Sequence, residues 1–264
     1  MNIWLGLLQN EQLKLYRRMG TWVMFILLLM AIVGIAFITK YVLPIAASEG
    51  ASPLLYFMNV TVPLFGLITL FAIIVAATSV ANEFSQGTIK LLLIRPIHRA
   101  KILLAKYIAV LLFSMYMIVV LFLGSLVLGG VLFGFEGLWT NPGGDFLEDQ
   151  GLSGLLQQYA FESIPLVMMV TFAFMVAAVF TNSALAIGLS MFLMFTGGQL
   201  AVLLSQYPWV KWILFAHFDL RQYVDGLPLV EGMTLSFSLL VLSMYYILFI
   251  LVTWLTFIKR DITA

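Results

Sequence analysis

The chain has 264 residues, of which 63% are hydrophobic and only 9% are charged, with a mean hydropathy of +1.09. Soluble domains carry about a quarter charged residues, so this composition excludes a water-facing globule and indicates an integral membrane protein. Its apolar runs have the length of about 20 residues that an α-helix needs to cross the hydrocarbon core, whereas barrel strands are about half as long. The predicted fold class is therefore an all-α polytopic membrane protein without cysteine.

The first predicted element is a basic amphipathic helix at about 3–19. On a helical wheel its larger apolar side chains gather on one side. The opposite side carries the charged residues Glu11, Lys14, Arg17 and Arg18. Such a helix is suited to lie in the membrane interface as an elbow before the first span. The alternative is a polar N-terminus without a fixed position.

Six membrane-spanning helices are predicted to follow. In chain order they cover about 21–41, 60–82, 103–133, 164–180, 184–204 and 235–258. Three loops on one side of the membrane cover about 42–59, 134–163 and 205–234. The last loop begins with Tyr207, Trp209 and Trp212, and aromatic rings favour the headgroup level, so it is expected to form an interfacial or re-entrant helix. No repeat or linker divides the chain, so 1–264 is predicted to be one domain.

The distribution of charge predicts the orientation. If both termini are cytoplasmic, the cytoplasmic side holds ten basic and three acidic residues, and the outer side holds three basic and nine acidic residues. Short cytoplasmic loops carry excess Lys and Arg. The sequence therefore predicts an N-in, C-in topology, with the loop 83–101 in the cytoplasm.

The predicted spans contain almost no ionisable chemistry. Lys106 lies one turn into the third span, and Glu162 lies at the outer edge of the fourth. Buried charge usually marks ion pathways and proton relays, so its near absence argues against an ion-coupled transporter. His98 and His217 lack ligand partners at usable spacing, and the sequence has no phosphate-binding P-loop. No catalytic, metal or cofactor site is predicted in this chain, which is not expected to be an enzyme.

The most polar patch inside any predicted span lies deep in the fifth. It consists of Thr196, Gly197, Gly198 and Gln199. These residues could line a substrate path or loosen the helix, and the sequence alone does not decide between the two.

The stretch 83–101, EFSQGTIKLLLIRPIHRAK, is an island of charge and turn-forming residues between the second and third spans. Gly87 permits a bend, and Thr88 can cap the free N–H groups of a short helix. Pro96 then ends that helix, because the residue before a proline is biased away from α geometry. The expected result is a short rigid helix with basic flanks, although basic flanks alone also follow from the positive-inside rule.

The order of residues in this island resembles the intracellular signature of ABC-2 type permeases, the membrane subunits of bacterial ATP-driven exporters. The matching residues are Glu83, Phe84, Gly87, Thr88, Ile89, Leu92, Leu93, Pro96 and Arg99. The resemblance extends more weakly to the elbow helix, the six spans and the apolar outer segment. The large acidic loop 134–163 departs from it.

The resemblance implies a coupling helix that docks on a separate ABC ATP-binding subunit, with Glu83, Gly87, Thr88, Leu92, Pro96 and Arg99 as the coupling set. It further implies a second permease copy or homologous permease, a bacterial cell membrane location, and ATP and Mg²⁺ bound by the ATPase rather than by this chain. Lipid is an expected partner and nucleic acid is not. The absence of charge within the spans favours an antimicrobial peptide or lipid-like cargo over sodium. The alternative function is a non-transporting scaffold that recruits a soluble partner through the same loop.

Overall fold

The computed structural model describes residues 3–41, 53–85, 99–135, 152–224, 226 and 228–259. In these ranges the regular structure is helical. The α-helices are α1 (Ile3–Tyr16), α2 (Met19–Tyr41), α3 (Pro53–Thr61), α4 (Leu64–Ser85), α5 (Arg99–Phe133), α6 (Leu152–Phe180), α7 (Ser183–Leu203) and α8 (Leu235–Lys259). A helix satisfies its own backbone N–H and C=O groups, which is why apolar runs of this length form helices rather than open strands.

Six helical segments are long and apolar enough to cross a membrane. They are Met19–Tyr41, Pro53–Ala81, Ala100–Phe133, Leu152–Phe180, Ser183–Leu203 and Leu235–Phe257. The prediction of an all-α protein with six spans is thereby confirmed.

The second span begins earlier than predicted. It starts at Pro53 instead of about 60, so the last part of the predicted loop 42–59 is helical. The sequence-based boundary was drawn after Asn59, a polar residue. In the structure Asn59 Nδ2 donates a hydrogen bond to the Leu55 carbonyl at 3.0 Å, and the apolar side chain of Leu54 is fully buried. Tertiary burial therefore extends the helix beyond the point that composition indicates.

The fourth span also begins earlier, at Leu152 instead of about 164, so the predicted loop 134–163 is helical from 152 onward. The polar residues before Pro165 suggested a loop. Pro165 instead lies inside α6, where it lacks the N–H that would bond to the carbonyl four residues earlier. Leu155 and Tyr159 bury 94% or more of their surface, and this packing keeps the first part of the helix in place.

Two helices form the centre of the bundle. α4 and α6 pack along each other. More than half of the residues in the most apolar part of these two spans are buried, compared with about a fifth of those in α2, α7 and α8. Small residues allow the close approach. Those that are fully buried are Ala72, Ala76 and Ala77 in α4 and Ala173, Ala177 and Ala178 in α6. The outward faces of α2, α7 and α8 are apolar, as lipid contact requires.

The segment 205–234 is not one interfacial or re-entrant helix. It forms three short 3₁₀ helices, Pro208–Trp212, Leu214–His217 and Arg221–Tyr223. Tyr207, Trp209 and Trp212 are about half exposed, as expected of interfacial anchors, whereas Val210 between them is fully buried. The segment is thus a folded cap on the bundle.

Candidate functional site

A set of buried polar contacts lies in the first three turns of α5. We call this region, 99–109, the α5 base. It follows directly after the predicted coupling loop. Lys106 and Tyr107 are adjacent in sequence and therefore point about 100° apart around the helix. Each of them contacts a different set of helices.

Lys106 contacts α1 through a buried ion pair. Its Nζ lies 2.7 Å from Oε2 of Glu11, and the two side chains are only 3% and 8% exposed. Lys14 Nζ contacts the other carboxylate oxygen, Oε1, at 2.8 Å, but its side chain is 42% exposed. Burial alone would raise the pKa of Glu11. The charges of Lys106 and Lys14, and the hydrogen bonds that they donate, outweigh this effect and hold the pKa below its ordinary value.

A second contact fixes α1 against the α5 base. Gln12 Nε2 donates a hydrogen bond to the Ala109 carbonyl at 3.1 Å. The turn that follows α1 is closed by Thr21 Oγ1, which donates to the Leu15 carbonyl at 2.6 Å, and by Trp22 Nε1, which donates to the Tyr16 carbonyl at 2.9 Å. These contacts hold the second half of α1 against α5 and close the turn that leads into α2.

Of the four predicted elbow residues, two are in this contact. Glu11 is 6% exposed and faces the bundle rather than a polar surface, whereas Leu5 and Leu13 are about half exposed. Arg17 and Arg18 lie exposed in the turn between α1 and α2. The helical wheel could not show that Glu11 has a buried partner 95 positions away.

Tyr107 contacts the opposite side of the bundle. Its hydroxyl lies 2.7 Å from Thr171 Oγ1 of α6 and donates to the Tyr246 hydroxyl of α8 at 3.2 Å. Its ring also packs edge-on against Phe174, with 5.4 Å between centroids. Spacing along the chain does not predict this network, because isolated hydroxyl residues are common in apolar helices. The α5 base thus touches α1, α6 and α8.

The structure describes only two of the six residues in the predicted coupling set. Glu83 lies near the end of α4 and Arg99 is the first residue of α5. Gly87, Thr88, Leu92 and Pro96 lie outside the described residues. The two flanking positions place the loop between the end of a central helix and the α5 base.

The polar patch of the fifth span splits into a packed and an exposed part. Gly197 is buried against Phe215 of the segment 205–234, whereas Gly198 and Gln199 lie on an exposed face of α7. Thr196 Oγ1 donates to the Phe192 carbonyl at 2.7 Å, within the helix. Gly197 is thus a packing position, and a substrate path along the other three residues stays a prediction.

Gly197→Ala is expected to destabilise the contact between α7 and Phe215. A Cβ at this position would lie 2.4 Å from Phe215 Cδ1, so the ring must move, at a cost of about 1–3 kcal/mol. Gly198→Ala is the matched control, because a Cβ there meets nothing within 4 Å. Thermal unfolding of both purified variants checks this, and equal Tm values would contradict it.

A buried histidine network, which sequence reasoning missed, holds the segment 205–234 on α8. His217 is fully buried; its Nε2 lies 2.9 Å from the Lys211 carbonyl and its Nδ1 lies 2.6 Å from Ser238 Oγ. A carbonyl only accepts, so Nε2 carries the proton and Ser238 donates to Nδ1. The Tyr223 hydroxyl in turn contacts Ser238. Burial lowers the pKa of His217, and the bond to the Lys211 carbonyl offsets this in part.

Known proteins match this chain over nearly its full length. The model of a family described as a protein of unknown function, DUF2705, matches residues 19–263, which include all six candidate spans. "Uncharacterized protein YhcI" of Bacillus subtilis (strain 168) is 38% identical over 313 residues, covering 98% of this chain and 99% of that protein. "Uncharacterized membrane protein YdbK" of the same organism is 31% identical over 253 residues, covering 95% and 99%. The six apolar helices and the printed name of this second relative agree on a multi-pass membrane protein.

Proposed function

The chain belongs to the DUF2705 family, and we propose that it is the permease subunit of an ATP-driven exporter of the ABC-2 type. It resides in a bacterial cell membrane and forms the translocation path with a second permease. ATP and Mg²⁺ are bound by a separate ATP-binding subunit that docks on the loop 83–101. The residue order of that loop is the sequence support for this proposal.

The observation that carries the proposal is the buried Glu11–Lys106 pair at the α5 base. A partner that moves the loop 83–101 also moves α5, since α5 begins at Arg99. Lys106 transmits that displacement to α1, and Tyr107 transmits it to α6 and α8. Such a contiguous set of contacts offers a route for mechanical coupling between the loop and the spans.

The cargo follows from what the described spans contain. Their buried polar groups are mostly hydroxyls, and the buried charge of Lys106 is paired with Glu11 at one end of the bundle. Glu162 is the acidic residue within the described spans and lies beside Asp219 and Arg221 of the segment 205–234, so the centre of the bundle offers no charged site for a bare ion. We therefore propose an amphipathic peptide or a lipid-like molecule as cargo.

The decisive experiment measures coupled ATP hydrolysis. The chain is co-expressed with an ABC ATP-binding subunit, purified as a complex, and reconstituted in nanodiscs. Leu92→Asp and Gly87→Pro in the loop are expected to lower the ATP hydrolysis of the complex by about tenfold or more, within the usual range of coupling energies. Asp145→Asn in the outer loop is the control and leaves hydrolysis unchanged.

Two outcomes would count against an exporter. If the complex forms but hydrolysis does not depend on the loop variants, the chain is a scaffold rather than a coupled permease. If no stable complex with an ATP-binding subunit forms at all, the docking role of the loop is wrong.

The orientation is tested by cysteine labelling. The chain has no native cysteine, so every introduced one reports alone. Lys90→Cys is expected to react with a membrane-impermeant maleimide only after the cells are permeabilised, whereas Asp145→Cys reacts in intact cells. Labelling of Lys90→Cys in intact cells would reverse the topology and place the proposed docking loop on the wrong side.

A further inference from the structure

The second span is broken within its buried part. α3 ends at Thr61, Val62 and Pro63 form a turn, and α4 begins at Leu64. Thr61 is fully buried and Val62 is 2% exposed, so this side of the turn faces the core. Pro63 has no N–H for the Asn59 carbonyl, which instead accepts from the Val62 N–H at 3.1 Å.

Three hydroxyl groups meet beside this break. Tyr159 of α6 is 6% exposed, and its ring lies between Phe65 of α4 and Phe122 of α5, at centroid distances of 5.1 and 5.5 Å. Ser125 lies one turn beyond Phe122, and Thr61 lies one turn before Phe65. Both are fully buried, and both hydroxyls lie next to the Tyr159 hydroxyl.

These three hydroxyls do not use their full hydrogen-bonding capacity. Thr61 Oγ1 donates to the Met58 carbonyl at 2.7 Å, and Ser125 Oγ donates to the Phe122 carbonyl at 3.0 Å. Each oxygen can still accept a hydrogen bond. The Tyr159 hydroxyl has no partner at hydrogen-bond distance and angle within the described part of the chain. A buried hydroxyl in this position calls for a bound water or ion.

We propose that this site binds one ordered water molecule. The water accepts a hydrogen bond from the Tyr159 hydroxyl and donates one each to the oxygens of Thr61 and Ser125, which uses one donor and two acceptors. A water fits better than a cation, because all three side chains are neutral and an unbalanced charge at membrane depth is costly.

The bound water gives the break a mechanical property. Water can exchange hydrogen-bond partners while the angle between α3 and α4 changes, so no buried polar group is left unpaired during bending. The break between α3 and α4 is thus a hydrated hinge inside the second span.

The test combines stability with a structure. Tyr159→Phe is expected to lower the Tm by about 2–4 °C, since the water loses its donor. Thr61→Val and Ser125→Ala each lower the Tm as well. In the Tyr159→Phe background, each of them lowers the Tm by less than it does alone, because all three residues share one water. Tyr56→Phe removes an exposed tyrosine hydroxyl of α3 and is the control that does not lower the Tm. A structure at a resolution that shows ordered water should reveal density within hydrogen-bond distance of all three hydroxyls.

Two results would overturn the proposal. If Tyr159→Phe raises the Tm or leaves it unchanged, the hydroxyl is unpaired and nothing is bound. If Tyr159 couples to only one of the other two residues and no density lies between them, a direct hydrogen bond replaces the water.

Discussion

Lys106→Met is expected to lower the free energy of unfolding by about 3 kcal/mol, near the lower end of the range for breaking a buried ion pair. The variant leaves Glu11 buried beside Lys14, whose side chain is 42% exposed and which therefore compensates only in part. Thermal or denaturant unfolding of the purified protein measures this loss. Lys14→Met is the control, with an expected loss of about 0–1 kcal/mol, as for a solvent-exposed pair.

A double variant separates the pair from its surroundings. Glu11→Leu combined with Lys106→Met removes both charges, and replacing a buried pair by apolar residues is often nearly neutral. The double variant should therefore be more stable than Lys106→Met alone. If Lys106→Met and Lys14→Met cost the same, the buried pair does not hold α1 on the α5 base.

The pair also predicts a dependence on pH. The pKa of Glu11 is lowered in the folded protein. The stability that the charged carboxylate contributes is therefore fully present above pH 4.5, the ordinary pKa, and is lost as the pH falls through the lowered pKa. In Lys106→Met the pKa rises, because the closer cation is gone. The acid loss of Tm should then be smaller than in the unaltered protein, because the pKa of Glu11 no longer lies as far below its unfolded value.

His217→Leu is expected to loosen the cap formed by the segment 205–234, at a cost of about 1–3 kcal/mol. Leucine cannot bond to the Lys211 carbonyl or to Ser238, both of which His217 satisfies in the structure. Fluorescence of Trp209 and Trp212, which lie in the same segment, reports the change together with the Tm. Lys211→Met is the matched control, because the network uses only the backbone carbonyl of Lys211.

Acid should produce the same loosening. The pKa of His217 is lowered in the folded protein, so folding favours the neutral ring. The stability that the neutral ring contributes is fully present above pH 6.5, the ordinary pKa, and is lost as the pH falls through the lowered pKa. His217→Leu should remove this dependence between about pH 7.5 and pH 5. A cap that keeps the same acid response without His217 would contradict its role.

Some features of the site were within reach of sequence reasoning and others were not. Glu11 and Lys14 were singled out as charged residues of an interfacial helix, but the partner of Glu11 could not be found from spacing, because Lys106 lies on another helix. His217 was noted only as lacking ligand partners, since an isolated histidine in a loop carries no sign of burial. The Tyr107 and Tyr159 hydroxyls gave no signal, because one hydroxyl in an apolar helix has many uses.

The sequence by itself determined the class of the protein, the number of its spans and the position of the polar loop 83–101. These follow from hydrophobicity, helix length and turn-forming residues, which act locally along the chain. Only the tertiary structure decided where the second and fourth spans begin, how the segment 205–234 folds, and that Glu11 pairs with Lys106. These depend on burial against distant helices, which can keep polar residues helical and turn a charged residue inward once its partner is present.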